Sequence, residues 1–281
     1  MPEANHPGQL LRGGEFFSRV ESRLHTGEVL LSELRQPSSR NVPRHEHELA
    51  YITVVLGGDY LEGDHGKLAD MRPFTAAFNP SGTRHATVIG PAGAQLFTIE
   101  LRQRHAHELG ARLPEQTTFD RGSGALLWPG LRLYSAFKTQ TADPLLLESH
   151  VLELLGALDG RGRASEGHLT VETPAPRWFP LVRERLHEEF RENLRMKDLA
   201  DDAGVHPVHL ARVFRRIEKQ TPGDYLQGLR VRQACCLLRE REYPLALIAA
   251  ECGFADQSHL TRVFRKLAGT TPGRFRGALA A

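Results

Sequence analysis

Long apolar runs are missing from this 281-residue sequence. None approaches the roughly 18 residues that a membrane-spanning helix needs, and the first residues show no basic stretch followed by a hydrophobic one. A cytoplasmic location is expected. Cysteine is scarce: Cys235, Cys236 and Cys252 are all there is. Neighbours on a helix point in different directions, which excludes an easy Cys235–Cys236 disulfide, so buried reduced thiols are expected. A charge excess of one sign is missing too. The formal net charge is only +2, which by itself says nothing about nucleic acid. The hydrophobic 40% and charged 25% are ordinary for globular chains, and the length suits two domains with a core each.

What is present is a duplication. HLARVFRRIEKQTPGDY (residues 209–225) is answered by HLTRVFRKLAGTTPGRF (residues 259–275) at a constant offset of 50, and LADDAG (199–204) by IAAECG (248–253) at an offset of 49. Two matched modules with one indel confined to a turn are hard to obtain by chance. Each reads as a short helix, a tight glycine turn at Gly204 or Gly253, and a second helix. Pro207 suits the first turn of one second helix, and Asp256 suits the N-cap of the other, beginning at Gln257. The pattern is a helix-turn-helix, written twice.

The second helix of each module has two faces. Leu210, Val213, Phe214 and Ile217 fall at helical spacing, as do Leu260, Val263, Phe264 and Leu267, and form core stripes. Opposite them stand Val208, Ala211, Arg212 and Arg215, and Ser258, Thr261, Arg262 and Arg265. Small residues near the start with arginines farther on suit a helix entering the major groove, where guanidinium forks grip guanine or phosphate. Arg216 and Lys266 flank the stripes and suit phosphate. A solvated cationic face is the competing reading for either helix alone, and its recurrence argues against it. From Leu181 onward the chain holds 18 Lys/Arg against 13 Asp/Glu, so the basic excess lies with the duplicated helices. Between the modules a helix from about Asp224 to Arg239 would span about 25 Å, enough to set two reading heads about one DNA turn apart.

The segments LADDAGVHPVHLARVFRR, TPGDYLQGLRVRQACCLL, PLALIAAECGFADQSHLTRVFRK and TTPGRFR resemble the DNA-binding domain of the AraC-type transcriptional regulators, from about Trp178 to Arg276. The resemblance implies double-stranded DNA as partner, RNA polymerase contact and transcriptional regulation in a bacterial cytoplasm; no enzymatic activity is expected. It names Val208, Ala211 and Arg212, with Gln257, Ser258, His259 and Arg262, as base-edge candidates.

The first half alternates short apolar segments with glycine turns: residues 27–35, 48–56, 74–78, 86–89 and 94–101. Residues 1–14 read as a loose lead-in. Such spacing implies an antiparallel barrel or jelly roll, hence an α+β chain in which an antiparallel β-barrel precedes an all-α domain. His45 and His47 share a face of an extended strand, and Pro80-Ser81-Gly82-Thr83-Arg84-His85 adds a third imidazole near a turn. These segments resemble the two motifs of the cupin family, but Tyr51 and Ile52 occupy the place of its usual glutamate, and Ile89 that of its asparagine.

Three imidazoles can hold a divalent metal (His45, His47, His85). They can also line a pocket for a small-molecule effector together with Arg44, Tyr51 and Arg84, the reading preferred on sequence, or be purely structural. Either arginine, turned inward, would favour an anionic effector. Helices are expected at 101–113 and 145–158, with 117–129 irregular; the leucine-rich second helix suits packing on the barrel or pairing with another subunit, and the resemblance favours a homodimer. GRGRASEGHLTVETPAP (160–176) reads as a linker, dividing a sensor domain (1–159) from a DNA-binding domain (177–281) that opens with a helix over 178–194. The rival reading is a cupin-type metalloenzyme with an appended DNA-binding module. It lacks any acid/base or nucleophile pattern beside the histidines.

Overall fold

The computed structural model describes residues 8–64, 67–120, 122–139, 143–165, 174–240 and 242–280. Its chain forms two compact units, residues 1–121 with 125–168, and residues 122–124 with 169–281. The first unit contains β1 (Gln9–Leu11), β2 (Arg19–Thr26), β3 (Val29–Gln36), β4 (Arg40–His47), β5 (Ala50–Asp64), β6 (Lys67–Asp70), β7 (Ala76–Asn79) and β8 (Arg84–Leu101). It continues through α1 (Gln103–Glu108), β9 (Thr118–Asp120), α2 (Leu127–Thr139) and α3 (Pro144–Ser165).

β5 and β8 pair antiparallel from Ala50↔Leu101 to Gly63↔Ala86, with register shifts around Gly57 and Gly58. Gly58 has φ +90°, and a Cβ there would lie 2.1 Å from the Gly93 carbonyl oxygen. Only glycine lets the two strands approach so closely. On its other edge β8 pairs first with β4 and then with β3, so one strand serves two halves of the sheet. The sheet order is β1-β4-β8-β5-β7-β9, with β2 on β3, β3 on β8 and β6 on β5.

This corrects the expected antiparallel barrel. β1 runs parallel to β4, so the sheet is mixed, and among the described residues its order ends at β1 and β9 without closing. Residues 9–11, expected in a loose lead-in, are that added strand. The two short segments expected at 86–89 and 94–101 are one strand, bent rather than broken at its glycines.

The helical expectations shift as well. Strand pairing holds Leu101, so only α1 forms where a helix over 101–113 was expected. α2 begins inside the stretch 117–129 expected to be irregular and runs on through 130–139, where no element was expected: Pro129 and Gly130 resemble breakers, yet they sit in its first turn, where a missing N–H costs no bond. Lys138 Nζ (2.9 Å), Tyr134 OH (3.1 Å) and Gln95 Nε2 (2.8 Å) all donate to the buried Glu33 carboxylate, fastening α2 to β3. α3 runs on to Ser165, over the first part of the expected linker, while residues 166–173 lie outside the described residues. Leu147, Val151, Leu154, Leu155 and Leu158 are its buried stripe.

The second unit is all helix: α4 (Phe179–Glu188), α5 (Met196–Asp202), α6 (Pro207–Glu218), α7 (Pro222–Leu238), α8 (Leu245–Glu251), α9 (Gln257–Ala268) and α10 (Pro272–Ala280). α4 stops at Glu188, short of the expected 194. The duplication is physical. Phe214 meets Tyr225 edge-on at 5.3 Å, and Phe264 meets Phe275 at the same distance, 50 residues on. The two turns match too. Val205 N donates to Ala200 O and Phe254 N to Ala249 O, around Gly204 (φ +63°) and Gly253 (φ +75°). Cys235, Cys236 and Cys252 are free thiols, the first and last fully buried. Among the described residues no helix is long and apolar enough to cross a membrane.

Candidate nucleic-acid interface and histidine cavity

Both second helices start on side-chain caps. His206 accepts from Val208 N before α6, and Asp256 Oδ1 accepts from His259 N at 2.7 Å before α9. With Leu210, Val213 and Phe214, or Leu260, Val263 and Phe264, buried, the opposite faces are fixed outward. On α6, Val208, Arg212, Arg215 and Arg216 are exposed and Ala211 is half-buried; on α9, Gln257, Ser258, Arg262, Arg265 and Lys266 are exposed and Thr261 is half-buried. Gln257, Ser258, Thr261, Arg262, Arg265 and Lys266 line one groove.

Not every candidate faces out freely. The His259 ring lies edge-on against Phe254 at 5.3 Å, which directs it to the turn rather than to the groove. Thr261 Oγ1 donates back to Gln257 O at 2.8 Å. Lys266 Nζ is 3.2 Å from Asp224 Oδ1 at the start of α7. Asp224 itself carries no local signal beyond a helix start.

The histidines come together in the first unit. Pairing of β4 with β8 sets His45 opposite His85, and alternation along β4 puts His47 on the same face. Ring centroids are 4.2 Å apart for His45–His85, 5.1 Å for His45–His47 and 5.4 Å for His47–His85. One ligand atom from each lies within 4.8 Å of the others, and all three residues are buried. His45 Nδ1 lies 2.8 Å from Pro43 O; donating there leaves Nε2 as the bare lone pair. His47 Nδ1 is buried without a hydrogen-bond partner. Burial, reinforced by His85, pushes the His45 imidazole down to about 4 and the His47 imidazole to about 2, so both are neutral near pH 7 and able to ligate.

Beside them lies a carboxylate that the local motif does not contain. Glu62, on β5, is 1% exposed; its Oε1 accepts from Tyr51 OH (3.2 Å) and Asn79 Nδ2 (2.8 Å) and stands 3.7 Å from His85 Nε2. Tyr51 OH also lies 3.2 Å from His85 Nε2, and Thr117 Oγ1 donates to Asn79 Oδ1 at 2.7 Å. Burial raises the Glu62 carboxyl above its ordinary value, and Glu62 Oε2 has no hydrogen-bond partner. Phe17 and Phe16 close the space, against His45 at 4.9 Å and His47 at 5.8 Å. None of Glu62, Phe16 or Phe17 stands near the histidines in sequence.

The cavity lined by the three histidines with Tyr51, Phe16 and Phe17 measures about 30 Å³; Glu62 stands behind Tyr51 and His85 and does not line it. Organic ligands occupy sites of roughly 300–1,000 Å³, whereas one water needs about 10–15 Å³. An ion or a few waters fit it. The expected anionic effector loses its basis at the arginines also. Arg44 and Arg84 are each one residue from a cavity histidine, so strand alternation sends them to the other face. Arg84 is exposed and bonded to Glu46 at 3.0 Å, and Arg44 does not line the cavity.

Residues 199–278 match the family described as "Helix-turn-helix domain". That match lies within the second unit and spans both helix-turn-helix modules. The chain is similar, at 36% identity over 78 residues, to the uncharacterized HTH-type transcriptional regulator YbfI of Bacillus subtilis, covering 28% of each chain. It is also similar, at 33% over 83 residues, to the bifunctional transcriptional activator/DNA repair enzyme AdaA of the same organism, covering 30% of this chain and 39% of AdaA. The chain therefore matches well under half the length of either relative. Among solved structures, the DNA-binding domain of AdpA in complex with a target DNA is 29% identical, with a TM-score of 0.34, covering 35% of this chain and 89% of that one.

Proposed function

We propose that this chain is a sequence-specific DNA-binding transcriptional regulator, with α6 and α9 reading successive major-groove segments and the sheet unit as its sensing half. The observation that carries the reading is the repeated helix face: two copies of one module each turn three cationic groups outward over an independently buried stripe. The names of the curated relatives, both transcription regulators, support it. Binding to operator DNA selected from a random library should fall steeply with salt as phosphate contacts release counterions. Arg262→Ala should relax selectivity at one base pair and cost about 1–3 kcal/mol there. Loss of equal size on every sequence would make Arg262 a phosphate contact only.

The species sensed, in this reading, is a divalent transition-metal ion held by His45, His47 and His85. Three neutral imidazoles in an ion-sized cavity, one already oriented by a backbone carbonyl and one with an orphaned nitrogen, suit such an ion. Bound there, it would supply a Lewis-acidic charge that draws the end of β4 and the start of β8 together. Equilibrium dialysis against Zn²⁺, Ni²⁺ or Co²⁺ should give one ion per chain and stabilise the fold by about 2.7 kcal/mol at a hundredfold excess over Kd. Binding that survives in a His45→Ala, His47→Ala double variant would show that the ion sits elsewhere. Leu145 (70% exposed), Leu146 and Leu152 on α3 support a homodimer, which sedimentation would test.

A further inference from the structure

Among the charged positions at which the two modules differ, one carries opposite signs: Asp224 in the first is answered by Arg274 in the second. Thr221 caps α7 by accepting from Asp224 N at 3.0 Å; fifty residues on, Thr271 accepts from Arg274 N in the same turn at the start of α10. The cap therefore works with either side chain, and capping does not explain why an acid stands at 224. The surroundings differ. Asp224 Oδ1 is 3.2 Å from Lys266 Nζ on the reading face of α9, and Asp224 Oδ2 accepts from Thr221 Oγ1 at 2.6 Å. Arg215, on the reading face of α6, also acts on it electrostatically. Next along α7, Tyr225 is buried in the core of the first module against Phe214, with its hydroxyl 2.8 Å from His187 Nε2.

An anion rooted in the first module thus meets cations from both reading helices. Lys266 and Asp224 are 63% and 45% exposed, so water screens the pair and it contributes little to folding. What it restricts is the rotation of α9 about the first module, which decides where the second set of arginines falls along a duplex.

We propose that Asp224 is a positioning residue that ties the second reading helix to the first module through Lys266 and so sets the half-site spacing the protein accepts. This rests on the DNA-binding reading above. Asp224→Asn keeps an acceptor for Thr221 and removes the charge; Asp224→Glu restores it. The full-length protein is titrated with duplexes selected by the wild type and with versions in which one half-site is moved by one or two base pairs.

In Asp224→Asn the preference for the original spacing should fall about three- to fivefold, the scale of one exposed ion pair. Binding to a duplex with the second half-site alone should be unchanged, and Asp224→Glu should recover most of the preference. Equal tightening on every duplex would overturn the proposal, since Asp224 would then only temper the charge of the face. An unchanged preference would overturn it too, leaving a helix cap. If the wild type binds no duplex, the regulator reading fails first.

Discussion

Gly253→Ala should disrupt the second helix-turn-helix at a cost of upward of about 3 kcal/mol, while Gly204→Ala, the same change in the first copy, should cost only about 1–2 kcal/mol. Both glycines hold positive φ, +75° and +63°. A left-handed backbone strains any side chain, and that shared penalty is all Gly204 would suffer, because nothing lies within 4 Å of an added Cβ. At Gly253 the new atom would lie 2.4 Å from Arg191 O and 2.9 Å from Arg191 C and Cα. That backbone cannot step aside easily. Arg230, from α7, donates to Phe190 O at 2.7 Å and to Glu192 O at 2.8 Å, clamping both sides of it. Urea unfolding of the two variants, with amide exchange over α8 and α9, measures the contrast. Equal costs would show that the 190–192 segment yields.

Acid should weaken the metal-free protein through its histidines. The folded-state values of His45 (about 4) and His47 (about 2) lie below the 6.5 of the unfolded chain. The unfolded state therefore takes up protons first as pH falls. Stability from keeping these rings neutral is complete above pH 6.5 and is lost as pH falls, toward 4 for His45 and on toward 2 for His47, at about 1.4 kcal/mol per pH unit for each ring. Glu100 works in the opposite sense. Burial raises its carboxyl from 4.5 to about 7, although Gly14 N donates to both oxygens and Arg23 is close. The folded state thus gains protons earlier than the unfolded one, and stability from this group grows as pH falls from 7 to 4.5. His47→Gln should flatten the acid loss by about 1.4 kcal/mol per pH unit between 6.5 and 4, and Glu100→Gln should steepen it by the same amount between 6.5 and 4.5. Urea midpoints along a pH series, in chelator, give both slopes. Parallel slopes in all three proteins would refute the assignment.

The helical unit was legible because duplication supplies its own control: a stripe seen twice at one offset is hard to mistake. Even there His259 read as a base contact, since sequence spacing cannot show that its ring lies on Phe254. The sheet unit was less legible. β2, RVESRLHT, carries charge on nearly every other residue because its outer face meets water, and its apolar content is too thin to announce a strand. Pro129 and Gly130 hid α2 by standing where a helix tolerates them. In the cavity, the three imidazoles were visible as motifs. Their carboxylate neighbour was not, because Glu62 reaches His85 through the pairing of β5 with β8, a contact between residues 23 apart in the chain. Arg84 faces away for the opposite reason: adjacency in sequence is a change of face in a strand.

Phe16 and Phe17 stand between His47, His45 and bulk solvent on a segment fastened several times over. Gly14 N is held by Glu100, Gly14 O by Arg23, Phe17 O by Arg40 (2.7 Å) and Ser18 Oγ by Gln36 (2.6 Å). An ion held at these histidines, as proposed above, would leave more slowly the more of those ties its path past the two rings has to loosen. Occupancy would then lag behind a fall in supply instead of tracking it.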